Sequence, residues 1–102
     1  MAFSLIDFAN TPWTAGGHPL EQKKIDPNGA AVMLKFAPGL VDLNWCPRRH
    51  HLHVLEGTLT LEFEHETLAV STGQSCRIEL GTLHRAANTT PQDVVLLAIS
   101  DL

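Results

Sequence analysis

A cysteine and three histidines crowd into one short stretch, Trp45-Cys46-Pro47-Arg48-Arg49-His50-His51-Leu52-His53-Val54-Leu55-Glu56-Gly57. A thiolate and imidazoles are soft and borderline donors, a set that favours zinc, ferrous iron, nickel or copper over magnesium or calcium. Other chemistries find less support. Ser71, Ser75 and Ser100 sit in no elbow-like pattern with a partner base, which argues against a serine hydrolase. Cys46 followed by His50 has the residue types of an imidazole-activated thiol, but nothing nearby specifies an oxyanion hole. Glu62 and Glu64 share one face of an alternating strand and read as solvated, as does the Arg48-Arg49 pair in a turn. No glycine-rich phosphate loop is present.

These donors need a frame, and the hydrophobic pattern describes one made of strands. His50 to Glu56 is strand-like and ends at Gly57. Along a strand successive side chains alternate between faces, so His50, Leu52 and Val54 share one face and His51, His53 and Leu55 the other. The apolar companions of His50 make its face the interior, which sends His51 and His53 outward. Thr58 to Glu64 alternates cleanly, with Leu59, Leu61 and Phe63 on one face, the mark of a half-buried antiparallel strand.

Elsewhere Leu20 to Ile25 reads as a charged edge strand, Asp26-Pro27-Asn28-Gly29 as a turn, and Ala31 to Phe36 as a buried strand closed by Pro38-Gly39. Leu68-Ala69-Val70 is a short strand. Cys76, Ile78 and Leu80 alternate with Arg77 and Glu79 before Gly81-Thr82 breaks the chain; strands then follow around His84 to Asn88 and over Asp93 to Ser100. Eight or nine short strands with regular turn signals and no helical period specify an all-β sandwich or barrel. Phe3, Leu5, Ile6 and Phe8 make residues 1–19 an apolar N-terminal arm or edge strand laid on the domain.

At 102 residues one domain spanning positions 1–102 is expected, and an apolar fraction of 44% with 18% charged residues is that of a globular chain. A net charge of -4 leaves no basic surplus to neutralise phosphates, so no nucleic-acid partner is expected. The longest apolar run, Val94 to Ile99, is too short to span a membrane, and Asp7 and Asn10 interrupt any signal-peptide pattern. A cytoplasmic protein with reduced thiols is the expectation, Cys76 serving as a small buried core residue.

Two segments resemble a known family. Gly73, Glu79, Gly81, His84 and Asn88 are spaced as in the second conserved motif of the cupins, with Glu79 where that motif usually has proline. Val54-Leu55-Glu56-Gly57 resembles the close of the first cupin motif. Counting back from Gly57 puts His50 at the position of the family's glutamate ligand, while Asn44 and Cys46 stand where the family has two histidines. Gly39 lies one residue too close to Asn44 for the pattern. The segment is closer to a variant group of small cupins with Trp-Cys-x-x-x-His before Val-Leu-Glu-Gly, for which the resemblance implies no settled reaction. Taking His51-Leu52-His53 as the family's His-x-His element fails, because Gly57 follows too soon.

The resemblance implies a cupin-type double-stranded β-helix, a jelly-roll barrel, whose interior brings Cys46 and His50 against His84 as candidate metal ligands, with Asn44 a weak fourth donor. Pro47, which cannot donate to a ladder, leaves the continuity of the strand through Cys46 and His50 open. Two readings follow. One is a metal site, filled by a divalent transition metal and open to water or substrate, of undefined reaction. The other is a metal-free small-molecule binding or sensing module acting as a dimer, since three of the four family ligand positions are changed. In either case a small-molecule ligand and a homodimer are expected.

Overall fold

The computed structural model describes residues 2–27 and 30–100. The turn expected at Asp26-Pro27-Asn28-Gly29 falls in part on Asn28 and Gly29, outside the described residues. Nine strands are seen among the described residues: β1 (Thr14–Ala15), β2 (Glu21–Ile25), β3 (Ala31–Phe36), β4 (His50–Glu56), β5 (Thr58–Phe63), β6 (Thr67–Ser71), β7 (Ser75–Ile78), β8 (His84–Ala87) and β9 (Val94–Ser100). They form two antiparallel sheets, one in the order β1-β2-β3-β9-β4-β7 and one in the order β6-β5-β8. The arrangement is the expected jelly-roll barrel.

Period-two patterning explains the packing. Leu52 and Val54 of β4, Leu59 and Leu61 of β5, Ile78 of β7, and Val94, Leu96 and Ala98 of β9 all point between the sheets and join Phe36, Leu40 and Val70 in one core. Leu40, Val54, Leu59 and Leu61 are wholly inaccessible, and each such burial contributes about 1.5–3 kcal/mol. Leu55 faces outward as the alternation requires, and a β-bulge between Val54 and Glu56 shifts the pairing with β9 as β4 approaches Gly57. Gly57 has φ +82, and a β-carbon there would lie 2.7 Å from the Asp93 carbonyl oxygen, so glycine is required by both backbone and space.

Two expectations change. The strand through Cys76 and Ile78 ends at Ile78, and Leu80 is 70% exposed, because Glu79 to Thr82 turn back sharply, with Thr82 N–H donating to the Glu79 carbonyl and Gly81 at φ +88. The N-terminal arm supplies only the short edge strand β1, paired with β2. Phe3 and Leu5 stay exposed, while Asp7 caps a helical turn over Phe8–Asn10. The arm is attached at its inner end, where Lys24 donates to the Phe8 carbonyl and, with Lys35, lies over the Trp13 ring at 4.7 and 4.5 Å.

Asn88, the last residue of the motif that begins at Gly73, acts as a brace. It is 1% exposed; its amide donates to the carbonyls of Phe36 and Gln92, and its oxygen accepts from Thr90 N–H and Thr90 Oγ1. It ties the end of β3 to the loop before β9. Asn88→Ala leaves those buried groups without partners and is expected to lower stability by about 2–3 kcal/mol, seen as a fall in Tm of roughly 10–20 °C; an unchanged Tm contradicts the brace.

Candidate metal centre

Cys46 reaches the site by a route that its distance in sequence from His84 hides. The connector after Leu40 runs antiparallel to β8, bridging at Val41 with Ala87 and at Cys46 with His84. Cys46 N–H donates to the His84 carbonyl at 2.8 Å and His84 N–H to the Cys46 carbonyl at 3.1 Å. An antiparallel pair that exchanges both bonds presents its two side chains on the same side. The continuity that Pro47 left open in the sequence is broken, since β4 starts only at His50. The Pro47 carbonyl accepts from Gly81 N–H at 2.8 Å, which pins the bend against the β7–β8 turn.

The ligand atoms of Cys46, His50 and His84 all lie within 4.8 Å of one another. Cys46 Sγ and His50 Nε2 are 3.4 Å apart, and the His50 and His84 rings meet edge to face with centroids 5.0 Å apart. A tetrahedral zinc with a thiolate at about 2.3 Å and an imidazole at about 2.0–2.1 Å sets those two ligand atoms about 3.6 Å apart. The donor types and the Cys46–His50 spacing fit such an ion.

Both imidazoles are oriented through their other nitrogen. His84 Nδ1 lies 2.8 Å from the Thr82 carbonyl, which can only accept, so in the neutral ring Nδ1 carries the proton and Nε2 keeps its lone pair. His84 is 5% exposed, and its Nε2 has no hydrogen-bond partner among the described residues. His50 Nδ1 is 2.7 Å from Ser100 Oγ. If the serine accepts, His50 Nε2 is likewise a lone-pair donor facing the thiol. Partners of this kind on the distal nitrogen are what orient imidazoles at metal centres.

The three residues line a cavity of about 160 Å³ whose walls are mainly apolar, with Leu34, Phe36, Leu61 and Leu96 among them, and which also meets Glu21 and Asp42. Asn44, the weak fourth donor of the sequence reading, is exposed and lines an adjoining hollow instead. His51 and His53 lie on the outer face, where His53 Nδ1 and Ser75 Oγ are 2.6 Å apart. Cys76 packs against the core and burial pushes its thiol above the ordinary value, away from thiolate chemistry.

Ser100, Thr82, Glu21 and Asp42 were not legible as site residues. Ser100 meets His50 only because β9 pairs with β4 in a register that sets the two opposite each other, and no local signal marks it. Glu62, read as solvated, instead pairs with Arg85. The Arg85 guanidinium in turn lies 4.7 Å over the Trp45 ring, on the outer side of the pair that carries Cys46 and His84. The Nδ1–H form of His84 can be observed directly: where its ring is neutral, ¹⁵N-resolved NMR is expected to show Nδ1 protonated, and a protonated Nε2 contradicts the assignment.

Comparison with known proteins agrees with this architecture. The family model described as "Cupin domain" matches residues 35–100. None of the curated proteins compared matches the chain. Among solved structures, KdgF from Halomonas sp. is similar with a TM-score of 0.74 and 26% identity over 95% of this chain and 94% of that one. The polyketide cyclase RemF from Streptomyces resistomycificus gives 0.77 and 20% over 96% and 78%. A cupin-superfamily sugar phosphate isomerase from Silicibacter pomeroyi gives 0.79 and 13% over 97% and 76%. With the second and third, the shared property is the fold.

Proposed function

This chain belongs to the cupin domain family, and within that family we propose that it is a metal-dependent small-molecule protein whose Cys46, His50 and His84 hold one divalent transition metal. The observation that carries the reading is the convergence of three ligand atoms from separate segments to within 4.8 Å on the wall of one cavity. One thiolate and two imidazoles suit zinc, ferrous iron, nickel or copper. A bound ion with three protein ligands would supply Lewis acidity at an open position.

The chain's own residues account for the rest. The Thr82 carbonyl holds His84 in the tautomer that leaves Nε2 available, and Ser100 orients His50. The mainly apolar walls give the site a surrounding of low polarity. A cavity of about 160 Å³ is smaller than the roughly 300–1,000 Å³ of drug-sized pockets, so the ligand is small. Both cysteines are free thiols, and a working thiolate ligand suits a reducing, cytoplasmic setting.

Elemental analysis of untagged protein is expected to find close to one equivalent of a transition metal. Cys46→Ser and His84→Ala are each expected to weaken metal affinity by at least about tenfold. Less than about a tenth of an equivalent, even after reconstitution, would overturn the reading. A metal-free binding module is the second reading, favoured by the 3.4 Å contact of Cys46 Sγ with His50 Nε2, which joins the two residues directly by a hydrogen bond.

We also propose that the chain is a homodimer. Met33, Val95, Leu97 and Ile99 alternate with core residues and lie half-buried on the outer face of the larger sheet, and the arm leaves Phe3 and Leu5 exposed. Such apolar surface is characteristic of an association face. Light scattering at micromolar concentration is expected to return twice the mass of the chain, and a monomer there overturns the proposal.

A further inference from the structure

Two carboxylates border the cavity that the metal reading leaves without a task. Glu21, on β2, and Asp42, in the connector before Cys46, line both the cavity of about 160 Å³ and an adjoining hollow of about 210 Å³ formed with Gly17, His18, Leu43 and Asn44. They stand at the junction of the two spaces. Arg48 and Arg49 line neither.

Each carboxylate is anchored through one oxygen by a backbone donor. Gly17 N–H donates to Glu21 Oε2 at 2.7 Å, and Ala86 N–H donates to Asp42 Oδ2 at 2.9 Å. The Gly16-Gly17 turn is closed directly on Glu21, since a β-carbon on Gly16 would lie 2.2 Å from Oε2. Anchoring fixes the orientation of each group and leaves its second oxygen as an acceptor with no proton to offer. The same cavity also meets the buried His84, whose Nε2 has no hydrogen-bond partner among the described residues.

We infer that this cavity takes a small ligand without negative charge, one that presents hydroxyl or amino donors to Glu21 and Asp42 while another of its atoms reaches the Cys46–His50–His84 group. The inference rests on the metal reading of that group and adds the class of ligand. A divalent ion on one thiolate leaves a single positive charge at the Cys46–His50–His84 group, and the two carboxylates outweigh it, so the cavity as a whole disfavours an anion, more strongly than water would because the local dielectric is lower. Donor groups on the ligand replace the water that the free oxygens would otherwise hold, so the same carboxylates that exclude anions favour polyols and amines.

Cobalt(II)-substituted protein tests this with two small probes, azide as the anion and imidazole as the neutral donor, titrated by the visible and near-ultraviolet spectrum. In the wild type imidazole is expected to bind more tightly than azide. Raising ionic strength with a weakly coordinating salt from about 0.01 M to about 1 M shortens the screening length from about 30 Å to about 3 Å, and is expected to strengthen azide binding.

In the Glu21→Gln/Asp42→Asn variant, which keeps an oxygen for each backbone donor, azide affinity is expected to rise about tenfold or more while imidazole affinity stays level or falls. Azide affinity that falls with ionic strength in the wild type, or an unchanged azide-to-imidazole ratio in the variant, overturns the inference while leaving the metal reading intact. Absence of a sulfur-to-cobalt charge-transfer band at the outset overturns the metal reading and this inference with it.

Discussion

The reciprocal hydrogen bonds between Cys46 and His84, at 2.8 and 3.1 Å, are the constraint on which the site depends. They close an irregular connector onto β8 and so extend the smaller sheet by a bridge that is not part of any named strand. Their geometry puts a thiol and an imidazole side by side facing the interior. Without that pair Cys46 would belong to a surface loop, because Pro47 prevents β4 from carrying it inward. The Gly81 N–H to Pro47 carbonyl bond holds the bend from the opposite side.

His50 arrives from the other sheet. Its position follows from the alternation that buries Leu52 and Val54, and its ring orientation follows from pairing with β9, which sets Ser100 opposite it. The candidate metal centre therefore spans the two layers of the barrel, with Cys46 and His84 on one and His50 on the other. The buried side chains between the layers hold the three at a fixed separation, and the close packing of such a core resists the small shifts that would change it. Asn88 and Gly57 secure the same geometry from a distance, the first by satisfying buried backbone groups and the second by admitting a close approach of the β9 entry.

Chemistry at the site is divided in the same way. The imidazoles have their distal nitrogens engaged by a carbonyl and a hydroxyl, which turns their remaining nitrogens toward the cavity. Cys46 offers the one soft donor, and the apolar walls give the group a surrounding of low polarity. Glu21 and Asp42 add negative charge where that cavity meets its neighbour. Cys76, the other thiol, packs against the core with its ionisation suppressed by burial.

The amino-acid sequence by itself determined the strand order along the chain, the inward face of β4 and the separation of His50 from His51 and His53, because a two-residue period and the turn residues are local properties. It also determined that Cys46 and His84 carry donor atoms at positions matching a recurring motif. Only the tertiary structure decided that Leu80 leaves its strand, that Phe3 and Leu5 stand off the domain, that Asn44 lies outside the group, and that Ser100, Thr82, Glu21 and Asp42 belong to the site. Each of these depends on which strands pair, and in what register. That is fixed by long-range backbone hydrogen bonds and core packing, which bring together residues as far apart as His50 and Ser100 and leave no trace in the neighbouring residues of either.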